Sequence, residues 1–486
     1  MMKRTFPLAL CLSVAACAVG PDFERPAAPT TQSYTAAPLP ERTVAADGRS
    51  QSFAAGQDIP AEWWSLFHSA KLDALVAQAI ANNPSLTAAK AALRQAHELT
   101  SAQRAAFFPL LSGDFTQVRG KNAQDSIAPP TQLIDPYYSL YTAQLSLSYA
   151  PDIWGATRRA VEEAEAGENG TRFQFEAAYI TLSSTVVVTV VAEASLRAQL
   201  DATRRLIAIS HELTDKLKRQ REIGTASELD LLAQQAAEAQ LMATLPPLEK
   251  QLAQTRDALA VLLGTTPSEL PDDLITLDEL TLPEQLPVSL PSKLIEQRPD
   301  VRQAEEALHA ASAQVGIAIA DMLPQIQLTA NVGSGALTPG KLFTPGNGFW
   351  SFGSSLSQTL FDAGALLHKR RAADAALDQA GANYRSTVLG AIQNVADSLE
   401  AIKSDNDGLK ATATADDAAK KSWELAKRQR DIGMINLVTL LNAEQTYQQA
   451  EIALVGARAA RLSDTAGLFQ ALGGGWWNRA EESDAK

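Results

Sequence analysis

Lys218-Arg-Gln-Arg-Glu-Ile-Gly224 returns 209 residues later as Lys427-Arg-Gln-Arg-Asp-Ile-Gly433, identical at six of seven positions. The same offset carries Leu147-Ser148 to Leu356-Ser357 and Leu263-Gly264 to Leu472-Gly473. Asn83-Pro84 meets Arg298-Pro299, and Pro109 meets Pro324, at an offset of 215. The difference of six falls between Pro109 and Leu147, where the first copy has the longer loop. The chain is an internal duplication, with copies of ~200 residues that are too long for an ordinary solenoid repeat.

Each copy reads in one order: helix, two strands, a very long helix, a tight turn and a returning helix. Leu86–Phe107 and Val301–Met322 are Ala-rich, helical in pattern and followed by proline, beyond which helices rarely continue. Gly155–Glu222 and Gly364–Asp431 run without proline; at 1.5 Å per residue each helix is ~100 Å long. A helix of that length must pack lengthwise against neighbours. Both turn at Ile-Gly, Ile223-Gly224 and Ile432-Gly433, as a glycine C-cap does. Ser227 and Asn436 are N-cap types opening the returning helices, Ser227–Gly264 and Asn436–Gly473. Pro246-Pro247 interrupts the first of these and predicts a kink or a separate helix.

Between the helices, Tyr141, Ala143, Leu145, Leu147 and Tyr149 alternate with Thr142, Gln144, Ser146 and Ser148. Ile326, Leu328, Ala330 and Val332 alternate with Gln325, Gln327, Thr329 and Asn331; Trp350, Phe352, Leu356 and Leu360 alternate with Ser351, Gly353, Ser355, Ser357 and Thr359. Leu111, Gly113 and Phe115 begin a weaker first strand. Period two gives one apolar and one polar face, the polar ones reading as Ser, Thr, Gln and Asn without charge. Strands of ~10 residues in this pattern fit a membrane barrel, wet inside; a half-exposed sheet of a soluble protein has the same alternation. Four strands cannot close in lipid without leaving backbone groups unpaired. The barrel reading therefore requires copies of the chain, and three would supply twelve strands.

The 486 residues carry a net charge of −13, which argues against nucleic acid held through phosphates. No run of 18 uncharged apolar residues occurs. The two cysteines, Cys11 and Cys17, lie near the start, and the five histidines are scattered, so neither a disulfide framework nor a metal site is expected. Carboxylates spread along helix surfaces, without a nucleophile motif, indicate no enzyme. Lys3 and Arg4 before the apolar Phe6–Val14 read as a secretory signal over residues 1–16. Val14-Ala15-Ala16-Cys17 resembles a lipobox, with Cys17 the acylated residue and its lipid the one covalent addition expected. An ordinary cleaved signal is the alternative. Residues 18–60, rich in Pro, Ala and Thr, read as an extended arm.

The chain resembles the TolC-like outer-membrane efflux proteins, most closely their lipoprotein branch of the OprM and NodT type. The likeness runs from Cys17 to about Trp477 and rests on Cys-Ala-Val-Gly-Pro-Asp after the lipobox, Trp63-Trp64 with Leu72 and Leu75, Glu296-Gln-Arg-Pro-Asp300, Leu360-Phe-Asp-Ala-Gly364 and Ala471-Leu-Gly-Gly-Gly-Trp476. It implies a mainly α, α+β protomer: four strands in a trimeric 12-stranded barrel, continuous with a periplasmic α-helical barrel. The resulting division is signal peptide 1–16, lipid-anchored arm 17–60, first repeat 61–270, equatorial linker 271–290, second repeat 291–475 and C-terminal tail 476–486. The resemblance further implies a homotrimer joined to a periplasmic membrane-fusion adaptor and an inner-membrane RND-type pump, conducting small molecules. A type I protein-secretion duct and a non-conducting coiled-coil tether are the alternatives.

By the same likeness the aperture lies at the hairpin tips, with Asp230, Val438, Asn442, Asp431 and Arg430. Gly224, Thr225, Ser227, Gly433, Met434 and Asn436 are adaptor-contacting tip residues. Asn442 replaces the family's usual aspartate, and Asp431 stands where the resembling lipoproteins usually carry arginine. A neutral Asn442 implies an aperture less selective for cations, closed by pairs such as Arg428 or Arg430 with Asp230.

Overall fold

The computed structural model describes residues 18–31, 33–35, 42–43, 50–121, 137–272 and 274–479. The signal and Cys17 lie outside the described residues. Helix α1 is Ala70–Asn82 and α2 is Pro84–Arg104; strands β2, Leu110–Lys121, and β3, Tyr137–Tyr149, follow β1, Ser52–Ala55. Helix α3 is Ala156–Glu222, α4 is Glu228–Met242 and α5 is Leu245–Leu262. After β4, Gln285–Val288, come α6, Pro291–Gln297; α7, Pro299–Ala320; β5, Gln325–Ala336; β6, Gly348–Ser357; α8, Ala365–Asp431; and α9, Leu437–Ala471.

The long helices α3 and α8 have 67 residues each. Each ends on a left-handed glycine, Gly224 at φ +74° and Gly433 at φ +75°. Thr225 N donates to Gln220 O and Met434 N to Gln429 O, both at 2.8 Å, a bond that satisfies the last carbonyls. The Pro246-Pro247 break yields two helices, α4 and α5, whereas α9 continues for 35 residues. Helix α3 contains a window apolar enough to cross a membrane by composition, but half of that window is buried within the protein. It includes Ile180, Val186, Val187 and Val191 and reads as a core helix.

The chain forms two compact units. One comprises residues 18–25, 94–170 and 305–383 among those described and holds an antiparallel sheet in the order β2-β3-β5-β6. The two copies meet at β3 and β5, with Leu145 opposite Val332 and Leu147 opposite Ala330. Strand β2 is not weak: it pairs with β3 through all 12 of its residues. Its Ser112-Gly113-Asp114 stretch lacks apolar bulk, and the ladder to β3 defines it instead. Strand β6 ends at Ser357, so Thr359 and Leu360 lie beyond it.

In the same unit the arm is pinned against the junction of β3 and α3. Val19 N donates to Trp154 O at 3.0 Å. The buried Arg159 donates to Asp22 at 2.6 Å and Glu162 at 2.7 Å. Phe23 stacks on His309 at 4.3 Å, and Arg25 pairs with Glu305 at 2.9 Å. A Cβ on Gly155, which has φ +82°, would strike Ala18, so glycine permits this approach.

The other unit comprises residues 26–93, 171–304 and 384–486, as far as they are described. Its core gathers Trp63, Phe67, Leu72, Leu259, Leu286, Leu399 and Phe469, all fully buried. Trp63 stacks on Phe469 at 5.2 Å; burying each such side chain contributes about 1.5–3 kcal/mol. The arm and the linker each supply a strand: β1 and β4 pair in parallel, Ser52 opposite Gln285. The duplication is visible in one repeated junction. Asn83 Nδ2 donates to Leu262 O at 3.0 Å, and its counterpart Arg298 donates to Ala471 O at 3.0 Å. Gly264 and Gly473 press on the carbonyls of Asn82 and Gln297, where any Cβ would collide.

Candidate channel wall and hairpin tips

The sheet's register sorts its side chains by face. Leu111 with Leu147, Leu145 with Val332, Ala330 with Phe352, Val332 with Trp350, and Ile326 with Leu356 share the apolar face. Phe115, Trp350, Phe352 and Leu356 on it are 65–79% exposed. A soluble protein rarely leaves so large an apolar face uncovered. The opposite face carries Ser112 with Ser146, Thr116 with Thr142, Ser148 with Thr329, and Asn331 with Ser351. Gln327 donates to Ser148 at 2.6 Å and Asn331 to Ser351 at 3.3 Å across that face. That face is not free of charge, as alternation among the larger strands suggested: Asp114 lies on it, opposite Gln144.

At the first tip Asp230 is exposed and caps its own helix. Its Oδ2 accepts from the Ser227 hydroxyl at 2.7 Å and from Ser227 N at 3.3 Å, a capping box for α4. Arg221 pairs with Glu228 at 2.5 Å across the turn. At the second tip Asn436 accepts from Thr439 N at 2.8 Å and caps α9. Arg430 donates to Ile435 O at 3.4 Å. Val438 is half-buried; Asn442, Asp431, Gly433 and Met434 are exposed, as are Gly224 and Thr225. Among the described residues no ion pair or hydrogen bond within the chain joins Asp230 to Arg428 or Arg430.

Sequence reasoning missed two buried charge clusters. Glu193, 1% exposed, accepts from Arg197 at 3.0 Å and Arg256 at 3.1 Å. Those arginines also donate to the linker carbonyls Ile275 O and Pro271 O. Arg461, 2% exposed, donates to Gln51 Oε1 at 2.9 Å and to the Ile402 carbonyl. Burial lowers its pKa to about 10. Burial and the adjoining Asp464 push the Asp405 carboxyl up to about 7, with the Arg461 charge opposing.

A sheet with an exposed apolar face and a hydroxyl- and amide-lined reverse, in a chain with two long helical hairpins, defines an outer-membrane channel subunit. Residues 75–265 and 290–474 match the model of the family described as outer membrane efflux protein, and the chain belongs to that family. It is 30% identical to the probable efflux pump outer membrane protein TtgC of Pseudomonas putida, over all of this chain and 98% of that protein. It is also 30% identical to the pyoverdine export outer membrane protein OpmQ of Pseudomonas aeruginosa, over 98% and 97% of the two. Among solved structures, the outer-membrane channel OprN superposes with a TM-score of 0.82 at 26% identity, covering 95% of this chain and 100% of that one. The open-state MtrE channel of Neisseria gonorrhoeae gives 0.79 at 25%, covering 95% and 99%. The chain is an outer-membrane exit duct of an efflux system, and not an enzyme.

Proposed function

We propose that three copies of the chain close a 12-stranded barrel continuous with a helical barrel, through which small toxic molecules leave passively. The observation that carries this reading is the sheet itself: β2 and β6 are its two edges, and its apolar face is exposed. In lipid an unpaired edge costs several kcal/mol per backbone group, which β2 of one copy pairing with β6 of the next removes. The hydroxyl- and amide-lined face supports conduction, because a tether needs no hydrated wall. Lipidation of Cys17 would be anchored by the pinned segment that follows it, from Val19 to Arg25. A periplasmic adaptor engages the tips around Gly224, Thr225, Ser227, Gly433, Met434 and Asn436, and an RND-type inner-membrane pump supplies the energy. The names of TtgC, an efflux pump protein, and OpmQ, an export protein, support the pump partnership. The aperture lies at Asp230, Val438, Asn442, Asp431 and Arg430. Closure there rests on contacts between copies, since Asp230 is engaged in its own cap.

Planar-bilayer conductance of the purified protein, with its oligomer mass in detergent, tests this reading. A trimer giving small, rare openings that enlarge when the tips are truncated is the expected result. A monomer, or a trimer silent after truncation, would overturn it.

A further inference from the structure

Three charged residues lie in the described membrane strands, all on β2, and the register separates them. Arg119 and Lys121 lie opposite Ser139 and Tyr137, on the face of Leu111 and Phe115 but beyond them. Lys121 rests 5.4 Å from the Tyr137 ring. A cation with a tyrosine at the strand end marks the rim of the lipid band, where a charge costs little. Asp114 is on the other face, opposite Gln144. Among the described strand residues it is the one charge on the hydrated lining.

The fold makes little use of this carboxylate. It is exposed, and it accepts only a long hydrogen bond from Ser146 Oγ at 3.5 Å among the described residues; Ser146 also accepts from Gln144 Nε2 at 3.2 Å. A hydrogen bond of that length is weak, and none of the described cations pairs with Asp114. Its charge is therefore left to act on water and on whatever passes. Counted along β2 from Leu110, Asp114 lies ~13 Å into the strand, nearer the helical end.

Resting on the channel reading above, we infer that Asp114 is a charge-selecting residue of the conduit, lining the barrel with one fixed negative charge per copy and favouring cationic solutes over anionic ones. A low-dielectric wall confines the field of such a charge to the water inside. At 0.1 M salt the screening length is about 10 Å, enough to reach into the lumen, whereas at 1 M it is about 3 Å. Tip residue Asn442 is neutral, so that position adds nothing to the negative field of the conduit. This selectivity belongs to the membrane-spanning half of the conduit and persists when the tips are open.

The test is the reversal potential in a potassium chloride gradient, with the full-length protein in planar bilayers. Wild type is compared with Asp114→Asn, Asp114→Lys and, as a same-face gain of charge, Thr116→Asp, after each is checked for wild-type oligomer mass. From Coulomb's law with screening, Asp114→Asn should lower the cation-to-anion permeability ratio about two- to four-fold near 0.1 M salt, with little change at 1 M. Asp114→Lys should shift it further toward anions, and Thr116→Asp should raise it. Unchanged ratios in both Asp114 variants, with conductance intact, would overturn the inference and leave the channel reading standing. If no protein, wild type included, passed current even with its tips truncated, both would fall.

Discussion

Ser227 and Asp230 hold each other: Asp230 N donates to Ser227 Oγ at 3.1 Å while Asp230 Oδ2 accepts from that hydroxyl at 2.7 Å. Loss of Asp230 therefore removes both a negative charge and half of a helix cap. Asp230→Ala should cost about 1 kcal/mol at the start of α4 and fray the tip. Ser227→Ala breaks the same cap and keeps the charge. Single-channel recordings of the two separate the effects. Larger openings in Asp230→Ala alone point to charge, and equal openings in both point to fraying.

At the second tip Asn442 is exposed one helical turn after the half-buried Val438. Asn442→Asp should raise cation preference at the aperture, without touching the cap that Asn436 makes with Thr439. Unchanged selectivity in bilayer recordings would show that Asn442 does not line the constriction. Combined with Asp114→Asn it should restore a cation preference by a route separate from the barrel.

The two hairpins were readable because their signals are local: a glycine that must be left-handed, an N-cap three residues on, and no proline in the 67 residues before. Strands β3, β5 and β6 were readable through alternation. Strand β2 was underread because its identity comes from β3, and with it Asp114 escaped notice. The repeated Asn83 and Arg298 junctions could be aligned in the sequence, but the carbonyls they bind lie 179 and 173 residues away. The Asp405, Asp464 and Arg461 cluster had no local signature at all. It arises only where α8 and α9 run back along each other.

That cluster gives a pH dependence with a definite sign. Asp405 Oδ2 is buried without a donor among the described residues, and the Asp464 carboxyl that it meets can bond to it only through a shared proton. With its carboxyl raised to about 7, the folded chain holds a proton that the unfolded chain gives up near pH 4. The pair's contribution is fully present below that range and is lost as pH rises to about 7. Asp405→Asn should therefore melt higher than wild type at pH 8 and about equally at pH 4.5, read by thermal unfolding in detergent. A constant difference between the two pH values would show that Asp405 carries no extra proton.

Glu193 compensates Arg197 and Arg256 in the interior, and those two arginines grip the linker through Ile275 O at 2.5 Å and Pro271 O at 2.8 Å. Glu193→Ala leaves two half-buried cations without their common carboxylate, a loss of about 1.5–3 kcal/mol. Limited proteolysis should then cut residues 271–275 faster than in wild type, because the grip loosens before the whole unit melts. Wild-type cleavage there would mean that the linker is held by β4 alone.

Neighbouring residues on β6 offer a direct test of which face meets lipid. Phe352 lies opposite Ala330 on the apolar face, and Ser351 lies opposite Asn331 on the polar one. Phe352→Arg would place a charge against hydrocarbon, costing about 2–4 kcal/mol if the site is near mid-membrane. It should lower the yield of assembled protein in the outer membrane. Ser351→Arg adds the same side chain one residue away, where water can solvate it. It should assemble normally, lose the 3.3 Å bond from Asn331 and weaken cation preference by opposing Asp114. The pair controls for strand propensity and for the bulk of arginine, so only the face differs. If Ser351→Arg were the one lost from the membrane, the lining and the lipid face would have to be exchanged.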